Sequence, residues 1–428
     1  MIFSRRRSLS ALAKIIAFNI CFGGLLLAGL SGCIKIDDIK YTAKTILRGH
    51  VNPAKLDTGL PIIKINTHNG QAITSKETYI TADIEIIDPN NSRNNLKSST
   101  EIRSRGNSTW KTPKKPYRLR FFEKTALFGY EKAKSWVLLA NNQDTTLMLN
   151  SVAFELGRIF GLPFTPHYTH VEVILNGRYE GSYVVTEQTQ TGRGRVDIQD
   201  TGFFVELDSH YDEEPKFLTA ILGLPVMIKS PEDLTEDSGY DFVRDALNEL
   251  EAALFADTFP GSGYRDLLDL DTWVDYIMIN EITRNVEIQH PKSVFLYRDG
   301  KADSRICLGP LWDFDWGFDY NDGEYFNNVT GMYYNTAFRS EVGRIFFARF
   351  FEDPFFREAY KNRWNEKYAD ITGMETFIDQ MAAALEKSYR SNSKVWWWQK
   401  VDYPVEIERM KTWWKNRAAY LNREINRF

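Results

Sequence analysis

Between Gly309 and Tyr320 the chain reads GPLWDFDWGFDY, so that Asp313, Asp315 and Asp319 alternate with Trp312, Phe314, Trp316 and Phe318. On a strand, successive side chains point to opposite faces. The spacing therefore predicts an aromatic face that builds core and an opposite face that gathers carboxylates. Carboxylates crowded together repel unless a cation, a proton or a base relieves them. Magnesium commonly takes one or two carboxylates and fills its octahedron with water and phosphate. Asp313 and Asp315 suit that chemistry, although acids at i and i+2 also occur on ordinary solvated strands.

A second cluster is cationic. Arg103-Ser-Arg-Gly-Asn-Ser-Thr-Trp110 is followed by Lys114-Lys115-Pro-Tyr-Arg-Leu-Arg120, concentrating positive charge around a glycine turn and then on a strand. Such density reads either as a solvated basic hairpin or as a phosphate clamp, in which Arg105 and Lys115 neutralise phosphate oxygens near the acidic row. A third cluster, Asn285-Val-Glu287-Ile-Gln-His-Pro-Lys-Ser293, sets a carboxylate, an imidazole, a lysine and a hydroxyl in one loop. GxxxxGK[ST], GxSxG and HExxH are absent, and the six histidines do not fall at metal-ligand spacing.

These clusters need elements to hold them. LPIIKINT, YITADIEIID, YRLRFF, SWVLLA, HVEVILN and GSYVVTE are short β-branched or alternating runs separated by turn residues such as Asn69-Gly70 and Asn176-Gly177. One helix is expected among them, from about Asp144-Thr145 to Phe160. After about residue 190 the pattern turns helical, at 235–255, 271–284, 340–366, 373–390 and 403–427, with a hairpin-like pair, SVFLYRDG and SRICLGPLWDFDW, in between. The reading is α+β, with a β-rich lobe over 59–190, a helical lobe over 191–428 and a cleft between them.

A chain of 428 residues with 43% hydrophobic and 14% aromatic content can bury a large core. Its start is different in kind: Arg5-Arg6-Arg7 precedes IIAFNICFGGLLLAGL and then Leu30-Ser31-Gly32-Cys33. A basic head, an apolar run too short to span a bilayer and small residues before a cysteine describe an export signal. LSGC resembles a lipobox, implying removal of residues 1–32 and acylation of Cys33. Residues 33–58 then read as a tether, and the protein as lipid-anchored at the cell envelope outside the cytoplasm, periplasmic or on the cell surface. Cys307 is left alone in the remainder, which excludes an internal disulfide. A net charge of −4 for the whole chain, with four basic residues and no acid in the signal, argues against a nucleic-acid partner.

Taken in order, RGNSTW, KKPYRLRF, SWVLLANNQD, VILNGRYEGSYVVTEQ, EITRN, SVFLYRD, GPLWDFDWGF and NRAAYLNREI resemble the spore coat protein H (CotH) kinase family over roughly residues 60 to 425. The resemblance implies a divergent protein-kinase-like fold of two lobes, and ATP-dependent phosphate transfer to serine or threonine of a protein substrate with Mg²⁺. It implies that Asp313 binds metal and that Asp315 is the second acid of the WDxD motif. By the same resemblance Arg105 and Lys115 face phosphates, Glu187 lies at the nucleotide pocket's linker and Asn150 opens the first long helix. The family's catalytic aspartate corresponds here to Glu287, and an asparagine able to bind metal corresponds to Ser293. Leu149 stands where many members have arginine. These departures support a rival reading, a kinase-like lipoprotein with weak or no turnover that serves a structural or binding role. A third reading, carbohydrate handling, rests on the eleven tryptophans, with Trp396-Trp397-Trp398 as the run to examine for an exposed patch.

Overall fold

The alternating runs of the first half close into a barrel. In the computed structural model, which describes residues 48–107, 109–231, 239–332 and 341–428, the strands are β1 (Ile62–Thr67), β2 (Ile80–Ile87), β3 (Leu96–Ser104), β4 (Tyr117–Thr125), β5 (Ala133–Leu139), β6 (Tyr168–Leu175) and β7 (Arg178–Glu187). They run β1-β2-β3-β4-β5-β7-β6, and β6 closes in parallel on β1 with Ile62 opposite Glu172. Ile63, Ile65, Ile84, Leu119, Phe121, Trp136, Val171 and Val173 fill the interior, as a two-residue period requires. Asn176 and Gly177 both take positive φ, the primed-turn geometry that suits a two-residue hairpin. The signal, Cys33 and most of the tether lie outside the described residues. From Gly49 onward the tether is docked: the Gly49 amide donates to the Val395 carbonyl, and Val51 and Leu56 pack against the cluster of Tyr179, Val395 and Trp396.

Strand β3 was not among the expected runs, and α1 (Leu149–Phe160) begins later than Asp144. Leu147 adopts a left-handed φ of 65°, which keeps the segment before it out of the helix. Asp144 still serves the start: one carboxylate oxygen accepts from the Thr146 and Leu147 amides and the other from Leu149.

The region after residue 190 is not purely helical. Strands β8 (Phe203–Leu207), β9 (Lys216–Leu218) and β10 (Pro225–Ser230) join β11 (Val294–Arg298) and β12 (Ile306–Leu308) in a sheet ordered β12-β11-β8-β10-β9. The expected hairpin pair is present, with Leu296 opposite Leu308. Around the sheet pack α2 (Tyr240–Leu254), the short α3 (Tyr264–Leu267), α4 (Leu270–Ile282), α5 (Val342–Phe350), α6 (Pro354–Val395) and α7 (Tyr403–Ile425). The span expected at 340–366 breaks at Asp353-Pro354, where Asp353 caps the Phe355 amide and Pro354 opens α6. The gap expected before 373 is absent. Gly373 costs about 1 kcal/mol inside a helix, but buried Ile371, Met374 and Ile378 hold α6 together there, and the Trp414 indole donates to the Ile371 carbonyl.

The acidic row is a loop, which corrects the strand expectation: Asp313, Phe318 and Asp319 have φ of 60°, 57° and 58°. Left-handed residues interrupt the alternation, so Trp312, Phe314 and Phe318 are buried by the turns of the loop instead of by a pleat, and Trp316 is left half-buried. Of the tryptophan run, only Trp397 is exposed; Trp396 donates to the Glu180 carbonyl and Trp398 to that of Asn142.

His170 is buried beside the Ser151 hydroxyl, 2.9 Å from Nε2, and burial pushes its pKa down to about 4. Because the folded value lies below the unfolded one, the unfolded chain binds more protons between pH 6.5 and 4. Stability is therefore full above pH 6.5 and falls by about 3 kcal/mol as the pH drops to 4. Thermal melts across that range should show a shallower acid decline for His170→Gln than for wild type; parallel declines contradict this assignment.

Candidate functional site

A cleft of about 610 Å³ is lined by residues of β3, β4, β8 and β10, by the start of α1 and by the loop after β12. The register of β3 and β4 sends Tyr117, Leu119 and Phe121 into the barrel and Arg118 outward. Arg103 lies directly opposite Arg118 in that register. The same cleft receives Arg105, Asn150, Glu287, Ser293, Asp313 and Asp315. The structure thus brings together six of the eight residues expected to bind nucleotide or metal or to act in catalysis.

Asn150 anchors the acidic loop twice. Its Nδ2 donates to Asp315 at 2.8 Å, and its Oδ1 accepts from the Phe314 amide at 3.0 Å. The Asn285 amide group adds a bond to the Asp313 carbonyl at 3.3 Å, and the Tyr325 hydroxyl donates to the Asp315 carbonyl at 2.9 Å. From behind, buried Gln399 donates to the carbonyls of Asn141 and Asp144, fixing the segment that leads into α1. Asp313 and Ser293 both sit at positive φ, a conformation that only a surrounding structure of this kind sustains.

The electrostatics are those of carboxylates crowded together out of water, which a proton or a cation relieves. Burial and then the neighbouring Asp315 hold the Asp313 carboxyl well above the usual range, against the opposing pull of Arg105. Asp315 is raised by burial and partly relieved by its Asn150 hydrogen bond. Glu287 is raised first by burial and then by Asp313; its Oε2 is buried with no hydrogen-bond partner. Glu206 is pushed up to about 7 by burial, with Lys229 pulling it down and Asp208 pushing it up. Arg105 is lowered by burial and sustained by Asp313; its guanidinium carbon lies 5.3 Å from the centroid of the Trp312 ring.

These oxygen donors fit a hard divalent ion. Among the described residues, no three His, Cys, Asp or Glu side chains are grouped closely enough to cage a metal. A carboxylate pair is nevertheless the donor set of an ion that completes its shell with substrate oxygens and water. The unpartnered Glu287 oxygen is consistent with a positively charged neighbour.

Lys115 and Glu187 do not line the cleft. Lys115 precedes β4, so it does not share the strand's outward face, and its ammonium donates to the Trp110 carbonyl. Glu187 is buried and accepts from the amide and ring of His167, at 2.7 and 2.8 Å. In their place the cleft holds Arg103, Arg118, Glu206, Asp208 and Lys229. Asp208 accepts from the Ser293 amide at 3.3 Å and from the backbone and ring of His210. The available hint was FVELD at 204–208, an apolar run ending in an acid.

With the geometry in view, comparison with protein families matches residues 102–421 to the family described as CotH kinase protein. No curated protein matches the chain.

Proposed function

The chain belongs to the CotH kinase family, and from that premise we propose that it transfers phosphate from ATP to a serine or threonine of a protein substrate, in a kinase-like two-lobed arrangement around this cleft. The observation that carries the reading is the meeting in one cavity of an acid pair with raised pKa values and a group of arginines. Phosphoryl transfer requires mainly alignment and charge neutralisation.

In this reading Asp313 and Asp315 hold Mg²⁺, with Ser293 beside them. Bound there, Mg²⁺ supplies charge neutralisation for the phosphates. Asn150 fixes the Asp315 carboxylate, and Trp312 backs Arg105 as its guanidinium meets a phosphate oxygen. Glu287 accepts the proton of the acceptor hydroxyl. Its raised pKa makes it a stronger base than an exposed glutamate once it is ionised, and Lys292, which acts to lower that pKa, favours the ionised form. The export signal and acylation of Cys33 are part of the proposal and place this chemistry at the cell envelope; among the described residues no helix is long and apolar enough to cross a membrane.

A ligand that binds only the native state must stabilise it. Millimolar ATP with Mg²⁺ should therefore raise the melting temperature by several degrees, and Asp313→Ala should remove most of that rise. No rise in the wild type discards the nucleotide reading, while a rise without label transfer to any protein reassigns the chain as a nucleotide-binding scaffold.

A further inference from the structure

The cations of the cleft fall into two groups. Lys229 is paired with Glu206 at 3.0 Å and also with Glu213, and Lys76 is paired with Asp212 at 3.5 Å. Arg103, Arg105 and Arg118 form no ion pair with a carboxylate among the described residues. Arg103 and Arg118 face each other across β3 and β4, an arrangement of like charges that is unfavourable unless something between them is negative. The Nε atoms of both are buried without a hydrogen-bond partner. Arg103 rests on the Tyr79 ring at 5.0 Å, and Arg118 makes one long bond, 3.3 Å, to the Ser135 hydroxyl. Burial lowers the pKa of Arg118, and the charge of Arg103 lowers it further. Two planar forks with unused donors on one wall match the oxygens of a phosphate.

We propose that Arg103 and Arg118 form a second phosphate subsite beyond Arg105, so that the cleft takes a chain of linked phosphates and discriminates triphosphate from monophosphate. This deepens the nucleotide reading and rests on it. Arg105 meets the phosphate nearest the Asp313–Asp315 pair, and the Arg103–Arg118 wall meets the remote ones. Arg118 is thereby assigned a function beyond the barrel that carries it.

The test uses the full chain and inorganic probes at equal Mg²⁺: orthophosphate, pyrophosphate and tripolyphosphate, followed by calorimetric titration. Wild-type affinity should climb along that series. Arg103→Gln and Arg118→Gln should each weaken tripolyphosphate by about tenfold while leaving orthophosphate nearly unchanged. Arg103→Lys and Arg118→Lys keep the charge without the fork and should fall in between; they carry the test should a Gln variant not fold. Tripolyphosphate affinity unchanged by all four variants, or a wild type indifferent to phosphate number, overturns the subsite. ATP serves as the separating arm: if ATP binds but chain length has no effect, only the subsite fails, whereas if ATP does not bind at all, the nucleotide reading itself fails.

Discussion

Replacing Asp313 with asparagine, which tolerates the left-handed backbone there, should reduce phosphate transfer by about a thousandfold or more without lowering the melting temperature of the metal-free protein. The two halves of this result have one cause. Asp313 lies in a loop held by Asn150, Asn285 and Tyr325 through other atoms, so its own carboxylate contributes little to the packing. Its charge is instead a burden on the fold, raised by burial and by Asp315. A carboxyl whose folded pKa exceeds its unfolded value favours the native state at low pH. That contribution is lost as the pH rises through the folded value. In the absence of divalent cation, Asp313→Asn should therefore melt higher than wild type on the alkaline side, and the difference should vanish near pH 4. A residue needed only for structure would lose stability together with activity. Label transfer and metal-free melts across pH, made on the same preparations, separate the cases.

The largest stability effect is expected at Arg417. It is fully buried and donates to Glu281, to the Glu281 carbonyl at 2.7 Å, and to the carbonyls of Val329 and Gly331 at 2.8 and 2.7 Å. Removing one partner of such a pair leaves an uncompensated buried charge and costs about 3–5 kcal/mol. Arg417→Ala should thus lower stability by that amount, and Glu281→Gln by somewhat less. The position also matters for function. Glu281 is near the end of α4, four residues before Asn285, which grips the Asp313 backbone and accepts from the Glu287 amide. Helix α7 therefore secures the end of the polar loop, and a stable double variant such as Glu281→Met with Arg417→Leu should show weakened transfer even where the fold is recovered. Denaturant unfolding with parallel activity measurements checks both parts; a loss below about 1 kcal/mol for Arg417→Ala contradicts the pairing.

Much of this site was legible because its chemistry lies in dense local clusters. WDFDW, RSRGN and the 285–293 loop each announced charge in excess of what a solvated surface needs, and all three reach the cleft. What escaped has identifiable causes. Strand β3, LKSSTEIRS, carries Ser98, Thr100 and Ser104 on its inward face, where an alternating pattern shows apolar residues, so it gave little periodic signal. Strand β8, FFVEL, is buried throughout, and a short continuous apolar run cannot be told from a helix segment by period alone. Missing β8 hid Glu206 and Asp208, which it and the turn after it bring to the cleft. The exchange of Lys115 for Arg118 followed from where β4 begins: Pro116 and Tyr117 separate the lysine from the outward strand position. The left-handed backbone at Asp313 had no glycine to mark it, and so the acid row read as a strand.

One divalent ion and one nucleotide should occupy this cleft together. Diffraction from crystals soaked with Mn²⁺ and a non-hydrolysable ATP analogue tests it most directly, through the anomalous signal of the metal. The predicted result is a single strong peak at coordination distance from the Asp313 and Asp315 carboxylates, with the phosphates against Arg105. A metal peak elsewhere, or nucleotide density outside this cleft, would contradict it.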